Sequence, residues 1–115
     1  MWRGEIRLVE FGPAQGSEAA KRRPAVIVSN DAANATAARL GRGVVTVVPI
    51  TSNVRRVLPF QVRLRAGVGG LERDSKAQAE QVRAVAVARV GRLLGPLPAP
   101  AIREIDDALR LHLAL

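Results

Sequence analysis

The feature that most restricts the fold of this chain is an apolar run preceded by three cations. Residues 24–29 read Pro-Ala-Val-Ile-Val-Ser, and Lys21, Arg22 and Arg23 come directly before them. A short run rich in valine and isoleucine predicts a buried strand, and proline is tolerated at the first residue of a strand. We therefore expect Arg23 at the end of a sheet, where a guanidinium can bind two phosphate oxygens at once. The alternative is that the three cations are solvated loop charge.

The charge balance indicates an anionic partner. Eighteen lysines and arginines stand against ten acids, which gives a net charge of +8 in a chain of 115 residues. A field of this sign attracts polyanions, so nucleic acid is the first candidate, followed by an acidic protein segment and an anionic membrane surface. Trp2, Phe11 and Phe60 are the only aromatic residues, which disfavours a surface built on several stacking platforms.

The composition also excludes several kinds of site. No cysteine is present, which excludes disulfides, a thiol nucleophile and a thiolate metal site. The acids are scattered, and Asp106 and Asp107 have no partner ligands at a suitable spacing, so we expect neither a metal ion nor another cofactor. The first residues lack the apolar core of a secretory signal, and no run approaches the ~18 apolar residues of a membrane span. We expect a cytoplasmic protein of one domain over residues 1–115 that does not enter a membrane.

Several short strands and one helix are predicted. Strands are expected at residues 5–11, 24–29, 44–50, 59–65, 75–77 and 81–87. In the fourth strand, alternation predicts that Phe60, Val62 and Leu64 point inward while Gln61, Arg63 and Arg65 point to water.

The connections and the last element complete this prediction. Residues 30–43 are expected to form a long mobile connection, with at most a helical turn at 32–38, and the glycines at 67–70 a turn. A final helix starts near Pro100 and carries an apolar stripe of Ile102, Ile105, Leu109 and Leu113. The predicted fold class is mainly β with a C-terminal α-helix, arranged as a small curled antiparallel barrel.

Five local patterns occur in one order along the chain. They are Arg-Gly-Glu-Ile at residues 3–6, Gly-Ser-Glu at 16–18, Arg-Pro-Ala-Val-Ile-Val-Ser at 23–29, Val-Pro-Ile-Thr-Ser at 48–52, and Gly-Leu at 70–71 with Ala-Glu-Gln-Val-Arg at 79–83. Each pattern is weak by itself, whereas the ordered set covers nearly the whole chain. In this respect the sequence strongly resembles the MazF/PemK family of toxin endoribonucleases.

The resemblance implies both a fold and an activity. It implies an SH3-like barrel of the CcdB/PemK kind that works as a homodimer. It also implies metal-independent cleavage of single-stranded RNA at short sequences, which in several members leaves a 2′,3′-cyclic phosphate and a 5′-hydroxyl. A toxin of this kind needs an antitoxin, and the basic surface predicts one with an acidic, partly disordered segment.

Three catalytic residues are carried over from the family pattern. Arg23 matches the arginine before the proline, Thr51 the threonine after Pro-x of the third strand, and Glu18 the acid of the Gly-Ser-Glu loop. Arg23 suits stabilisation of negative charge, Thr51 a hydrogen bond to phosphate or ribose, and Glu18 proton transfer if its pKa rises. The alternatives are a turn residue for Thr51 and an exposed acid paired with Lys21 or Arg22 for Glu18.

RNA binding is predicted for four further residues. They are Arg22, Ser52, Arg55 and Arg56. Arg55 and Arg56 lie in a loop that can flank the groove and bind backbone phosphates, although surface charge is the alternative. His112, the single histidine, is interpreted as a residue of the helix end. Arg7 stands where members of the family often carry a tryptophan or another aromatic residue.

Two other functions fit the same predicted fold. CcdB-type toxins share this barrel and poison DNA gyrase without cleaving RNA, so the fold alone does not decide the activity. A barrel that only binds nucleic acid is the other possibility. The residue types at positions 23 and 51 favour the ribonuclease.

Overall fold

The computed structural model describes residues 1–12 and 21–115, and within them seven strands form one curled, mostly antiparallel sheet with two α-helices and three single-turn 3-10 helices. The strands are β1 Glu5–Gly12, β2 Lys21–Ile27, β3 Val44–Thr51, β4 Gln61–Leu64, β5 Ser75–Gln78, β6 Arg83–Ala86 and β7 Val90–Pro96. The helices are α1 Asp31–Leu40 and α2 Ala99–Leu113. The strand order is β4-β5-β3-β2-β1-β7, and β6 pairs with β3. The predicted fold class, mainly β with a C-terminal helix, is confirmed.

Strand β2 starts earlier than the sequence suggested. Lys21, Arg22 and Arg23 are strand residues and not loop residues, because they pair with Gly12, Glu10 and Val9 of β1. Pro24 is thus the fourth residue of β2, and its prediction as the first residue is wrong. The pairing with β1 gives Arg23 a fixed backbone on one side although its side chain is exposed.

On its other side, β2 pairs with β3 over a short distance only. The paired residues are Ile27 with Val47, Val26 with Val48, and Ala25 with Pro49. Proline has no N–H to donate to a ladder, and Pro24 and Pro49 stand on the two strands where the pairing ends. Beyond this point β3 pairs with β5 instead, so the sheet opens between β2 and the end of β3.

Helix α1, Asp31–Leu40, occupies most of residues 30–43, so the prediction of a mobile connection is wrong and the helical turn predicted at 32–38 is too short. The Asn30 side chain accepts a hydrogen bond from the Ala33 N–H at 2.8 Å, which caps the N-terminus of α1. Gly41 adopts the left-handed conformation at φ 65° and donates its N–H to the Ala37 carbonyl, which ends the helix. Only Asn34 and Ala37 of α1 are buried, so the helix lacks the apolar periodicity that would have revealed it.

A buried amide joins α1 to the sheet. Asn34 is fully buried; its Nδ2 donates to the Ser29 carbonyl at 2.9 Å and its Oδ1 accepts from the Ser29 hydroxyl. The Thr46 N–H donates to the Ser29 Oγ at 3.0 Å, so the same residue also contacts β3. These bonds satisfy polar groups that would otherwise be costly to bury.

Strand β4 departs from strict alternation at Gln61. Val62 and Leu64 are buried and Arg63 is exposed, as predicted, but Phe60 is only half-buried and Gln61 is buried. The Gln61 side chain accepts from the Leu58 N–H at 2.9 Å and donates to Glu80 Oε2 at 2.6 Å. Because both ends of the amide are bonded, it can be buried where alternation placed it in water.

The core lies on both faces of the sheet. One cluster packs between the sheet and α2, and the other contains Ala37 of α1. Of the predicted stripe on α2, Ile105 is buried, Ile102 and Leu109 are half-buried, and Leu113 is 48% exposed. The stripe is therefore confirmed for its first three members only. No helix in the described part of the chain has the length and apolar content needed to cross a bilayer.

A turn of glycines approaches the backbone of β7 closely. Gly67, Gly69 and Gly70 have φ values of 93°, 59° and 78°, a region that only glycine enters readily, which confirms the predicted turn. A Cβ on Gly70 would overlap the Leu94 carbonyl oxygen. The turn can therefore lie against β7 only because it has no side chain at this position.

Replacing Gly70 by alanine is expected to destabilise the protein far more than the same change at Gly41. Both residues have positive φ, but a Cβ on Gly41 meets nothing within 4 Å. Gly41→Ala should cost about 1 kcal/mol from backbone strain, and Gly70→Ala about 3 kcal/mol or more because the backbone of β7 must also move. Urea unfolding followed by circular dichroism measures both. Equal losses in the two variants would show that the close approach to Leu94 is not rigid.

Candidate functional site

A cleft of about 690 Å³ opens where β2 and β3 separate. Its lining comes from the ends of these two strands on one side and from the glycine turn, the segment after it and β7 on the other. Four of the predicted site residues line it: Arg22, Arg23, Thr51 and Ser52. The structure therefore brings together residues that lie some thirty positions apart in sequence.

The strand register explains why Arg23 and Thr51 share this cleft. The last paired residues of β2 and β3 are Ala25 and Pro49, and the strands are antiparallel. Arg23 lies two residues before Ala25, and Thr51 lies two residues after Pro49, so both stand at the same distance beyond the last pair. Side chains two apart on a strand point to the same face. Both residues line the cleft at the separation of the strands, together with their neighbours Arg22 and Ser52.

The Thr51 hydroxyl accepts a hydrogen bond from the backbone just beyond the end of its own strand. The Asn53 N–H donates to Thr51 Oγ1 at 3.2 Å. A hydroxyl that accepts a backbone N–H keeps its own proton available for another acceptor. Thr51 is half-buried, which holds this hydroxyl at the wall of the cleft while one side remains open to a ligand.

The other predicted residues lie elsewhere. Glu18 lies outside the described residues, so the structure gives no position for it. Arg55 and Arg56 are exposed in the loop between β3 and β4, directly after Thr51 and Ser52, but they are not among the residues that line the cleft. Both arginines come shortly after Ser52, the last residue of this segment that lines the cleft.

Two cations of the cleft were not predicted from the sequence. Arg73 follows the glycine turn and Arg92 lies on β7, and both line the cleft beside Glu72. Neither belongs to a local pattern, since they reach the site only through the pairing of β7 with β1 and the close approach of the turn. Together with Arg22 and Arg23 they give the cleft four guanidinium groups, a composition suited to phosphate.

Arg23 also lines a second cleft, of about 380 Å³. Lys21, Arg83, Gln78 and Gln81 contribute cations and amides to its lining. The Arg83 guanidinium lies 5.5 Å from the centre of the Phe11 ring, a cation–π contact. The basic surface is therefore continuous across Arg23 from one cleft to the other.

Arg7 does not contribute to either cleft. Its Nε donates to Glu5 Oε1 at 3.1 Å and its Nη1 donates to the Gly91 carbonyl at 3.2 Å. Glu5 is buried and also accepts from the Trp2 N–H at 2.9 Å. At the position where the resembling family often has an aromatic residue, this chain thus has a cation engaged with a carboxylate and with β7.

The acids of the described residues and the single histidine do not form a metal site. Within residues 1–12 and 21–115, no three His, Asp or Glu side chains are grouped as metal ligands. His112 lies in the last turn of α2, and its ring centre is 6.0 Å from that of Phe60, which agrees with its interpretation as a helix-end residue.

One carboxylate near the glycine turn has a shifted pKa. The hydrogen bond from the Ala66 N–H lowers the pKa of Asp74 below its ordinary value of 3.8, and Arg63 adds to this effect. The same bond joins the two ends of the segment 66–74, which carries Gly70 and Arg73.

Comparisons with known proteins agree with this architecture. The sequence model of the PemK-like, MazF-like toxins of type II toxin–antitoxin systems matches residues 2–113. The endoribonuclease MazF9 of Mycobacterium tuberculosis is 58% identical over 115 residues, which are 100% of this chain and 98% of that protein. The chain belongs to the PemK-like, MazF-like toxin family.

Solved structures of the family share the fold. A mycobacterial endoribonuclease in complex with its cognate antitoxin superposes with a TM-score of 0.78 at 23% identity, covering 100% of this chain and 96% of that one. MazF from Deinococcus radiodurans gives a TM-score of 0.76 at 26% identity, covering 100% and 97%. The resemblance inferred from the five sequence patterns is thereby confirmed.

Arg92→Ala is expected to weaken binding of a single-stranded polyanion to the cleft. Loss of one phosphate contact should reduce the dependence of log Kd on log salt concentration by about 0.7. Fluorescence anisotropy with a labelled RNA oligonucleotide at several salt concentrations measures this slope. Arg103→Ala, which removes an exposed arginine on the outer part of α2, is the matched control and should leave the slope unchanged. Identical behaviour of the two variants would exclude Arg92 from the binding surface.

Proposed function

We propose that this protein cleaves single-stranded RNA in the cleft between β2, β3 and β7, and that the 2′-hydroxyl of the RNA is the nucleophile. That it is a toxin endoribonuclease follows from its family and from its identity to MazF9 over the full chain. The observation that carries the proposal for the site is that Arg23 and Thr51 stand on the same cleft. The reaction would form a 2′,3′-cyclic phosphate and release a 5′-hydroxyl.

Arg23 is proposed to stabilise the charge that develops on phosphorus. The attack of the 2′-oxygen forms a fifth bond to phosphorus and increases the negative charge on the non-bridging oxygens. A guanidinium remains charged at any physiological pH and can donate to two of these oxygens. Pairing of β2 with β1 fixes the Arg23 backbone, so less reorganisation is needed when the charge develops.

Thr51 is proposed to orient the reacting group. Its hydroxyl accepts a backbone N–H from Asn53, so its own proton is directed to a substrate oxygen, either a non-bridging oxygen or the 2′-oxygen. This gives geometry and not acidity, because a threonine hydroxyl does not ionise at neutral pH. We expect its loss to reduce the rate less than the loss of Arg23.

Proton transfer needs a base for the 2′-hydroxyl and an acid for the 5′-oxygen. Glu18 is proposed as the base by its match to the family pattern, with its pKa raised beside a bound phosphate. The 2′-oxygen would pass its proton to the carboxylate as it bonds to phosphorus. As the P–O5′ bond breaks, the 5′-oxygen would take a proton from solvent water, and the protonated Glu18 would return its proton to the solvent. Arg22, Ser52, Arg55 and Arg56 are proposed to bind the RNA on either side of the scissile phosphate.

The two other functions considered from the sequence have less support. The cleft by itself does not separate them from RNA cleavage, because a guanidinium and a hydroxyl also bind phosphate oxygens in proteins that do not cleave nucleic acid. MazF9 and the mycobacterial protein solved with its antitoxin are named endoribonucleases, which supports RNA cleavage over gyrase inhibition.

Partners of the protein follow from the same family. We propose a homodimer in the cytoplasm that consists of one toxin domain per chain. We also propose a cognate antitoxin whose acidic segment covers the basic clefts, since one solved structure of the family is a complex of an endoribonuclease with its antitoxin. The net charge of +8 supports an acidic partner.

Purified protein incubated with a defined single-stranded RNA is expected to give discrete fragments in the presence of EDTA. A matched substrate with a 2′-deoxy nucleotide 5′ to the scissile phosphate should remain intact, because the nucleophile is then missing. Mapping the fragment ends by primer extension also identifies the cleavage sequence. Equal cleavage of the two substrates would exclude 2′-hydroxyl attack, and intact RNA together with inhibition of gyrase supercoiling would favour the gyrase poison.

Arg23→Ala is expected to reduce the single-turnover cleavage rate by about 10²–10³-fold while the fold is retained. Arg23→Lys keeps the charge but not the two-pronged geometry, and we expect it to recover only part of the rate. Circular dichroism and thermal unfolding check the fold of both variants. A folded Arg23→Ala variant that cleaves at the parent rate would contradict the assignment.

A further inference from the structure

Lys76 is a buried cation that the proposed mechanism does not use. It lies on β5, is 9% exposed, and is the Cα partner of Thr51 in the pairing of β3 with β5. Its Nζ donates to the Arg56 carbonyl oxygen at 2.5 Å. A lysine is rarely buried unless its ammonium group is bonded, so this contact accounts for its position.

The contact crosses from the sheet to the loop between β3 and β4. Residues 52–60 form this loop, which leaves the cleft at Ser52 and carries Arg55 and Arg56. Because the acceptor is the carbonyl of Arg56, the lysine fixes the loop backbone and leaves both guanidinium groups free to reach outward. Both arginines are exposed.

Other hydrogen bonds hold the same loop at its two ends. At the start, the Asn53 N–H donates to Thr51 Oγ1 at 3.2 Å, and the Arg55 N–H donates to Asn53 Oδ1 at 3.2 Å. At the far end, the Leu58 N–H donates to Gln61 Oε1 at 2.9 Å. Lys76 supplies the middle attachment, at the arginine pair itself.

From this arrangement we infer that Lys76 is a positioning residue for RNA binding, which holds the Arg55–Arg56 backbone beside the path of the strand that enters the cleft. The inference rests on the proposed function. A long side chain on a free loop loses conformational entropy when it binds a phosphate, and a loop that is already fixed reduces this loss. Lys76 therefore acts on RNA affinity through Arg55 and Arg56 and does not itself contact the RNA.

The test compares Lys76→Met with Arg63→Met. Methionine keeps the length and apolar stem of lysine but cannot donate to the Arg56 carbonyl. Arg63 is the Cα partner of Lys76 on β4 and is exposed, so its replacement removes one charge from the same part of the sheet and leaves the loop attached. Kd is measured with a labelled RNA in which a 2′-deoxy nucleotide at the cleavage position prevents cleavage. Single-turnover rates are measured with the all-ribose RNA, and both measurements run from 50 to 200 mM salt.

Lys76→Met is expected to reduce the salt slope of log Kd by up to about 1.4, since two phosphate contacts are each worth about 0.7 on a single strand. Raising the salt from 50 to 200 mM should therefore weaken RNA binding by the parent up to about seven times more than RNA binding by the variant. The cleavage rate at saturating RNA should stay at the parent value, which separates positioning of the loop from damage to Arg23 or Thr51. Arg63→Met should match the parent in both measurements.

A double-mutant cycle tests whether the effect passes through the arginines. Lys76→Met added to Arg55→Ala/Arg56→Ala should change Kd no further, because the groups that it positions are already missing. Lys76→Arg, which keeps a donor, should restore the parent slope. If Lys76→Met does not fold, Lys76→Gln, whose amide is too short to reach the loop, takes its place.

The inference is overturned if folded Lys76→Met or Lys76→Gln binds RNA with the parent Kd and slope, or if the effect persists undiminished without Arg55 and Arg56. A failure of the proposed function gives a different result, since the parent protein would then neither cleave the all-ribose RNA nor bind its protected form.

Discussion

The site depends on the point at which the ladder between β2 and β3 ends. Pro24 and Pro49 cannot donate a ladder hydrogen bond, and the last paired residues are Ala25 and Pro49. Each strand nevertheless continues, β2 along β1 and β3 along β5, so neither end is loose. The cleft is thus bounded by backbones that are paired on their outer sides, and Arg23 and Thr51 line it from these two strands.

The opposite wall of the cleft depends on small residues. Gly70 lies against the Leu94 carbonyl, and a Cβ on Gly95 would come within 2.9 Å of the Gly69 carbonyl carbon. These glycines let the turn approach β7 closely enough for Arg73 and Arg92 to line the same cleft as Arg23. The close approach of the glycine turn to β7 therefore accounts for two of the four arginines in the cleft, Arg73 and Arg92.

Much of this was predictable from the sequence, and the errors have physical causes. The strands rich in valine were predicted because β-branched side chains pack on a sheet, but α1 was missed because caps at Asn30 and Gly41, and not an apolar face, define it. Gln61 was placed in water because its partner, Glu80, is 19 residues away. Motifs made Arg23 and Thr51 candidates, and both line one cleft, whereas Arg92 has no local signal and reaches the cleft only by long-range pairing.

The pairing of β1 with β7 has a consequence for the order of assembly during synthesis. Glu5 pairs with Pro96 and Val9 with Val90, so the first strand made meets one of its neighbours only after about ninety residues have been added. Contacts of such sequence separation form late, because the intervening chain must first be ordered. Arg92 and Leu94 join the cleft only at this stage, so a nascent chain carries Arg23 and Thr51 without the complete cleft. A ribosome therefore finishes most of the polypeptide before the RNA around it is exposed to an assembled nuclease.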